Sequence, residues 1–530
     1  MLPDLGACGS SYSDRFEQLQ SQLNQDPLGL NLFETKSCDI LVIPSLSIDI
    51  GVAEKISGLV HYEERLLFSL IHLRNPDSRV IYVSAIPLCP LIIDYYLHLL
   101  PGIPLSHARD RLILISTYDN SSQPLTKKIL ERPRLIERIK RALRPGKSYM
   151  VCYNSTVLEQ ELSLKLEIPL LAASPRLLYW GSKSGSREIF AEAKIPHPDG
   201  SIKLACVDDL ILAATSLWER QPNLKRMVVK LNEGFSGEGN AILDLQAIKD
   251  YAPGLASHSQ RLITIKNCLS DLRFQAPEET WEKFSAKLVK LGGIVEAFIE
   301  GDNKRSPSFQ GYITPKGEVE ALSTHDQILG GPDGQIYLGC RFPAAESYRL
   351  QIQEMGLSVG MALARKGAIA SYGVDFIAVP NSDNSWEIQA LEINLRQGGT
   401  THPFMTLKLL TSGSYNCQTG LFYTQENRAK YYIASDNLQK EIYKGLLPQD
   451  LMDIIATHNL HFDTSHKTGC VFHLIGALSQ YGKIGLTCIG NSWQEAENLY
   501  DRVERILDCE SQIDFNNNSA PLSSQFLSLP

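Results

Sequence analysis

Two neighbouring segments constrain the fold more than any other part of the chain. Trp386–Arg396 (Trp-Glu-Ile-Gln-Ala-Leu-Glu-Ile-Asn-Leu-Arg) alternates as a β-strand does, which puts Glu392, Asn394 and Arg396 on one face. Gly373–Val379 has the pattern of a second strand, and Pro380–Ser385 between them is a cluster of turn formers. A hairpin centred between Asp383 and Asn384 sets Asp375 opposite Glu392. Two like charges facing each other across a sheet destabilise it, so the arrangement implies a cation between them. Two carboxylates, an amide oxygen and no Cys or His suit a hard, oxygen-seeking ion, Mg²⁺ or Mn²⁺. Arg396 on the same face suits a phosphate. The plain alternative is a solvated hairpin face.

Two further segments bear on that choice. Met227–Leu231 is an apolar strand interrupted by Lys230, and Asn232–Asn240 follows with Gly234, Gly237 and Gly239 around Ser236. A buried ammonium needs a partner, and glycines let backbone N–H groups approach phosphate oxygens closely. The lysine precedes the glycines, so this is not the Gly-x-x-x-x-Gly-Lys-Ser/Thr loop; an ordinary hairpin turn is the competing explanation. Gly293–Gly301 is apolar on both faces apart from Glu296 and Glu300. Such a strand can end beside an adenine edge, with Phe298 and Ile299 as apolar walls, or can be a buried strand with a charge at its rim.

The chain has 530 residues, enough for about three domains, and 43% hydrophobic and 21% charged residues, as in a soluble globular protein. A net charge of −8 makes a nucleic-acid or anionic-membrane surface an unlikely design. The 11 cysteines are scattered with no Cys-x-x-Cys pair, which argues against structural zinc and a disulfide scaffold. No secretory or membrane-spanning pattern is present, so a cytoplasmic protein is expected. Short apolar strands at Asp39–Pro44, Arg79–Val83, Arg111–Ser116 and Ser148–Tyr153 alternate with helical stretches such as Tyr62–Leu73 and Leu135–Leu143, implying a largely parallel sheet with helices on both faces. The loop Tyr179–Arg187 leads into a helix over Glu188–Ala193. Strands then come in antiparallel pairs, as at Gln310–Thr314 and Glu318–Leu322. A last unit ends in a helix capped by Ser492 and Glu495.

These residues together resemble the ATP-grasp superfamily. Ser306-Pro307-Ser308, Ser323–Gln327, Gly339–Ala344 and Glu392–Pro403 (Glu-Ile-Asn-Leu-Arg-Gln-Gly-Gly-Thr-Thr-His-Pro) are similar to the peptide-ligase group of pheganomycin biosynthesis. The resemblance covers roughly Leu41 to Leu507. It implies an α/β chain with a Rossmann-like pre-ATP-grasp domain (38–180), a two-lobed α+β ATP-grasp domain (181–412) and a small C-terminal α/β domain (413–509), flanked by an N-terminal extension (1–37) and a disordered tail (510–530). Lys183 and Lys230 would hold ATP phosphates, with Gly234, Ser236, Gly237 and Gly239 forming the mobile loop. Glu296, Ala297, Phe298 and Ile299 would form the adenine hinge, and Asp375, Glu392 and Asn394 the Mg²⁺ (or Mn²⁺) ligands. No residue clearly matches the ribose-binding carboxylate, and Asp302 is the candidate taken. Several relatives carry an arginine two residues before the first metal carboxylate; here that position is Gly373. The anion-stabilising role then falls to Arg396 or Arg341, while His325 and Asp326 are candidates to orient or deprotonate the acceptor amine.

The implied activity is ATP-dependent joining of a small carboxylate to an amine, an amino acid or short peptide, through an acyl phosphate. The alternatives are a catalytically silent ATP-binding regulatory or scaffold protein of the same fold, and a biotin-dependent carboxylase, disfavoured by the lack of a Met-Lys-Met carrier signal. No nucleic acid or membrane is expected as a partner, and homodimer formation is left open.

Overall fold

A computed structural model describes residues 9–24, 37–234, 239–276, 278–330 and 336–512. The expected tail disorder, parts of the N-terminal extension, and Ser236 and Gly237 of the glycine loop lie outside them.

The four apolar runs near the N-terminus form one all-parallel sheet, in the order Leu112–Ser116, Arg79–Ser84, Asp39–Ile43, Ser148–Cys152. Its strands are apolar on both faces because both faces are covered. Ile40, Val42, Val80 and Tyr82 pack towards the helical segment Leu59–Arg74 and the C-terminal unit. Leu41, Ile43, Ile81 and Val83 pack on the opposite side with Ile129, Ile136 and Ile139. Leu59–Arg74 is wound in 3-10 turns and carries Arg65 to the interface with the C-terminal unit.

A four-stranded antiparallel sheet follows, in the order Arg273–Phe274, Asn240–Asp244, Arg226–Leu231, Gly293–Ala297. Helices Val207–Arg220, His258–Cys268 and Trp281–Leu291 cover its apolar face through Trp218, Ile265 and Phe284.

The third sheet has ten strands. The Glu392 strand (Trp386–Asn394) lies at its edge beside the Asp375 strand (Ala370–Pro380), followed by Pro307–Ile313, Val319–Gly330, Ile336–Phe342 and Ala429–Gln439. Lys483–Gly490 pairs with Ala429–Gln439 and with Gly469–His473. This sheet therefore runs unbroken across the expected boundary at 412/413, through the pairs Cys340↔Ala434 and Phe342↔Tyr432. The strand that makes this connection, Ala429–Gln439, lacks a clean alternation because both faces are partly covered. Helices Lys183–Glu192 and Arg349–Arg365 pack on the Asp375 end around Phe190, Phe309, Tyr372 and Phe376. Among the described residues no helix is long and apolar enough to cross a membrane.

Candidate active site

The hairpin pairs Asp375 with Glu392 as expected, although its turn is centred on Asp383 rather than between Asp383 and Asn384. Asp383 Oδ1 accepts the Ser385 N–H at 2.9 Å, Asn384 takes φ 65°, and the Asn381 N–H donates to Ser385 O at 2.8 Å. That turn pairs Pro380 with Trp386, and after one bulge next to Asp375 the register sets Asp375 opposite Glu392. Both carboxylates face a cavity of about 1140 Å³ between the two antiparallel sheets, which extends to the N-terminal and C-terminal units.

The surroundings of Asp375 explain its proton affinity. Gln327 Nε2 donates to its Oδ1 at 2.8 Å and Asn394 Nδ2 to its Oδ2 at 2.9 Å. Burial first, and then the Glu392 charge, raise its pKa from 3.8 to about 7, against the opposing pull of Arg396, Lys183 and Asn394. Glu392 takes the Lys183 ammonium at 2.5 Å. Two carboxylates with amide oxygens close by form a donor set that fits a hard divalent cation, so Asp375, Glu392 and Asn394 are the residues that would hold one.

Lys183 reaches this point because its helix starts earlier than expected, at Lys183 rather than Glu188. Ser182 caps it by accepting the Gly185 N–H at 3.1 Å. Asn232, just beyond the Lys230 strand, then ties the two lysine elements together: its side-chain oxygen accepts from the N–H of Ser184 at 3.1 Å and from the Ser184 hydroxyl at 2.6 Å. Lys230 is buried and bound to Glu296, which also receives Arg187 at 3.3 Å. At the neck of the glycine loop Gly239 O accepts the Leu231 N–H at 2.9 Å, and Gly234 and Gly239 line the cavity.

Several expected roles need correction. Glu296, which lines the cavity, is a buried counter-ion whose partners Lys230 and Arg187 lie 66 and 109 residues away in sequence. The Ala297 and Phe298 N–H groups are taken by Asp199 O (2.8 Å) and Arg226 O (3.2 Å), so neither is available to read a base. What this segment offers is a wall: the Phe298 ring is held between Arg226 (4.1 Å) and Lys304 (4.6 Å), next to Ile299 and the exposed Asp302. His325 is fully buried and does not line the cavity. Its Nε2 meets the Tyr432 hydroxyl at 2.6 Å, it packs on Phe342, and burial lowers its pKa to about 3, so it stays neutral in the core. Arg341 lies at the cavity wall but is paired with Glu497 at 2.8 Å. The cavity also brings in groups not picked out from the sequence: Gln310, Gln327, Tyr153, Arg65, Asp436 and Lys483. Of these, Gln327 lies in Ser323–Gln327, a segment of noted resemblance, but no role was read for it. At Gly373 a Cβ would come within 2.9 Å of the Gln310 amide, so the space an arginine would need there is filled by Gln310.

The raised pKa of Asp375 makes a pH prediction. The folded state holds this proton more tightly than the unfolded state, so its contribution to stability is full below about pH 4 and is lost as pH rises through about 7. Metal-free protein is expected to lose thermal stability between about pH 5.5 and 7 (roughly the upper half of that window), and Asp375→Asn to flatten that slope. Unfolding curves in EDTA across this range check it; identical slopes for both proteins would contradict the placement of Asp375.

A family model described as "IQCH-like, ATP-grasp" matches residues 176–264 and 267–418, and one described as "PGM1 C-terminal domain" matches 450–503. The L-propargylglycine--L-glutamate ligase of Streptantibioticus cattleyicolor is 28% identical over 463 residues, covering 86% of this chain and 90% of that protein. IQ motif-containing protein H of Danio rerio is 23% identical over 418 residues, 72% of this chain but 39% of that longer protein. Among solved structures, a biotin carboxylase–ATP complex from Campylobacter jejuni superposes with a TM-score of 0.53 at 12% identity, covering 91% of this chain and 97% of that one.

Proposed function

We propose that the chain is an ATP-grasp ligase, in line with the family model matched over residues 176–264 and 267–418, and that it joins a carboxylate to an amine at the expense of ATP, through an acyl phosphate, releasing ADP and phosphate. The observation that carries this reading is the convergence of Asp375, Glu392, Lys183, Lys230 and Arg396 on one cavity from separate parts of the chain. The Streptantibioticus cattleyicolor relative is named for joining two amino acids, and amino acids or short peptides are the substrate class we assign here.

The chemistry follows from the groups present. A donor carboxylate oxygen attacks the γ-phosphorus and the bond to ADP breaks; the amine then attacks the acyl carbon and phosphate leaves with the oxygen that bridged it. Phosphoryl transfer is mainly positioning and charge neutralisation. A bound Mg²⁺ would neutralise phosphate charge at Asp375, Glu392 and Asn394. Lys183 and Lys230 hold their ammonium groups on Glu392 and Glu296, and phosphate oxygens compete for both. Arg396 donates to Gln397 O at 3.0 Å and lies 6.0 Å from the Tyr153 ring centre. Among the described residues no carboxylate lies within ion-pair distance of it, whereas Arg341 has Glu497. We therefore assign Arg396 to the donor carboxylate and the later oxyanion.

The experiment is ADP release measured with a panel of acids and amines, with amide quantified in parallel. Release that needs both substrates and yields one amide per ADP supports the reading; nucleotide binding with no substrate-dependent release would favour a silent binding protein. With the active pair, Arg396→Lys is expected to bind ATP within about twofold of wild type but to lose roughly 100-fold in amide formed, because a point charge does not replace a planar two-pronged donor. If Arg341→Lys loses ligation and Arg396→Lys keeps it, the two arginines exchange roles.

A further inference from the structure

The end of the cavity away from Lys230 is built from parts of the chain that the proposed chemistry has not used. Arg65 comes from the helical segment Leu59–Arg74, Tyr153 follows the parallel-sheet strand Ser148–Cys152, Asp436 lies on Ala429–Gln439, and Lys483 opens the strand Lys483–Gly490. All four line the cavity.

These side chains are buried and cationic in balance. Lys483 is 5% exposed; its ammonium donates to the Tyr62 hydroxyl at 2.7 Å and, among the described residues, has no carboxylate within ion-pair distance. Arg65 is also 5% exposed. Its guanidinium lies 4.6 Å from the ring centres of both Tyr62 and Tyr153, and one arm meets Asp436 Oδ2 at 3.0 Å. Its Nε is buried without a hydrogen-bond partner. Asp436 is already shared, since its other oxygen receives His473 Nε2 at 2.6 Å. One carboxylate therefore faces Arg65 and Lys483, with Arg396 beyond the same Tyr153 ring. Burying an ammonium and a guanidinium donor without full pairing costs stability, and the cost is offset when an anion binds between them.

We propose that this end of the cavity holds a non-reacting carboxylate, the α-carboxylate of the amine-donating substrate, so that the acceptor is an amino acid rather than a simple amine. This assignment rests on the ligase reading. Arg396 adjoins the Glu392 strand and serves the reacting carboxyl group; Arg65, from the helical segment Leu59–Arg74, shares the Tyr153 ring with Arg396, at 4.6 and 6.0 Å from its centre. An amine poised to attack at Arg396 carries its α-carboxylate one carbon away, on the side of Arg65 and Lys483. Two separate donor groups, an ammonium and a guanidinium edge, match the two oxygens of a carboxylate. Lys483 also has a pKa lowered by burial, as expected of an ammonium lacking its counter-ion.

The test is calorimetric titration of the full chain, saturated with MgADP, with each of the common L-amino acids. The tightest binder is then compared with its α-amide and with the amine left when the carboxyl group is removed. Both analogues are expected to bind about 30-fold more weakly. Lys483→Met is expected to weaken the amino acid at least about tenfold, leaving its amide and MgADP unchanged, with Lys483→Arg restoring most of the loss. Equal binding of acid and amide, an unaffected Lys483→Met protein, or inorganic phosphate outcompeting every amino acid would overturn the proposal. So would failure of every amino acid to bind a protein that still binds MgADP. The comparison of acid with amide on the unmutated protein stands even if Lys483→Met does not fold. Failure of the ligase reading is seen separately: a protein that makes amides only from amines lacking a carboxylate keeps that reading and loses this one.

Discussion

Asp375→Asn is expected to cut Mg²⁺-dependent turnover by about 10³-fold while the metal-free protein keeps its stability at pH 8. The loss corresponds to roughly 4 kcal/mol of charge stabilisation, the scale of a divalent ion at a phosphoryl centre. Stability holds because at pH 8, above its pKa of about 7, Asp375 carries its charge against that of Glu392. An amide removes that repulsion and still accepts a hydrogen bond from Gln327 or Asn394. Glu392→Gln should lose turnover equally but behave differently without metal. It strands the Lys183 ammonium, which Glu392 holds at 2.5 Å, so a loss of about 1 kcal/mol is expected against the relief of repulsion. Activity assays with Mg²⁺ and Mn²⁺, beside denaturant unfolding in EDTA, read both quantities. Wild-type turnover in either variant would remove these carboxylates from the metal site.

Lys230→Met is expected to weaken a non-hydrolysable ATP analogue by roughly 10- to 100-fold, the value of one charge-assisted bond to phosphate. It should also cost stability. Without nucleotide Lys230 is not an isolated charge on an apolar strand; it is bound to Glu296 in a buried group with Arg187. Its removal leaves Glu296 with Arg187 alone, and a loss of about 1–3 kcal/mol follows, less than for a charge left with no partner. Calorimetry with the analogue and unfolding of the same protein give the two numbers. Unchanged affinity with reduced stability would make Lys230 a purely structural member of the group.

What could be read from sequence divides by distance along the chain. The hairpin and the facing of Asp375 and Glu392 were legible because strand alternation and the turn residues around Asn384 act over a dozen positions, whereas the bulge beside Asp375 that brings the two carboxylates opposite each other leaves no mark in the alternation. The parallel sheet was legible for the same reason: each of its strands is a short apolar run. The ion pairing of Glu296 was hidden because a strand pattern shows a charge but not its partners, here Lys230 and Arg187 from other elements. His325 was misjudged because it lies in a polar stretch, Ser323–Gln327, of which Asp326 and Gln327 reach the cavity while His325 turns into the core against Tyr432. The helix start at Lys183 was hidden in a run of glycine and serine that resembles a loop until Ser182 is seen as a cap. The cationic end could not be assembled locally at all, since Arg65, Tyr153, Asp436 and Lys483 come from four elements and meet only where the C-terminal unit packs on the parallel sheet.

Oxygen-18 transfer tests the central claim most directly. With an acid labelled in its carboxylate and a competent amine, each turnover should place one labelled oxygen in the released phosphate, with ADP as the nucleotide product, because the oxygen that attacks the γ-phosphorus leaves with it. Mass spectrometry of the phosphate reads the outcome. Unlabelled phosphate, or label recovered in AMP with pyrophosphate released, would contradict an acyl phosphate formed at Asp375, Glu392 and Arg396.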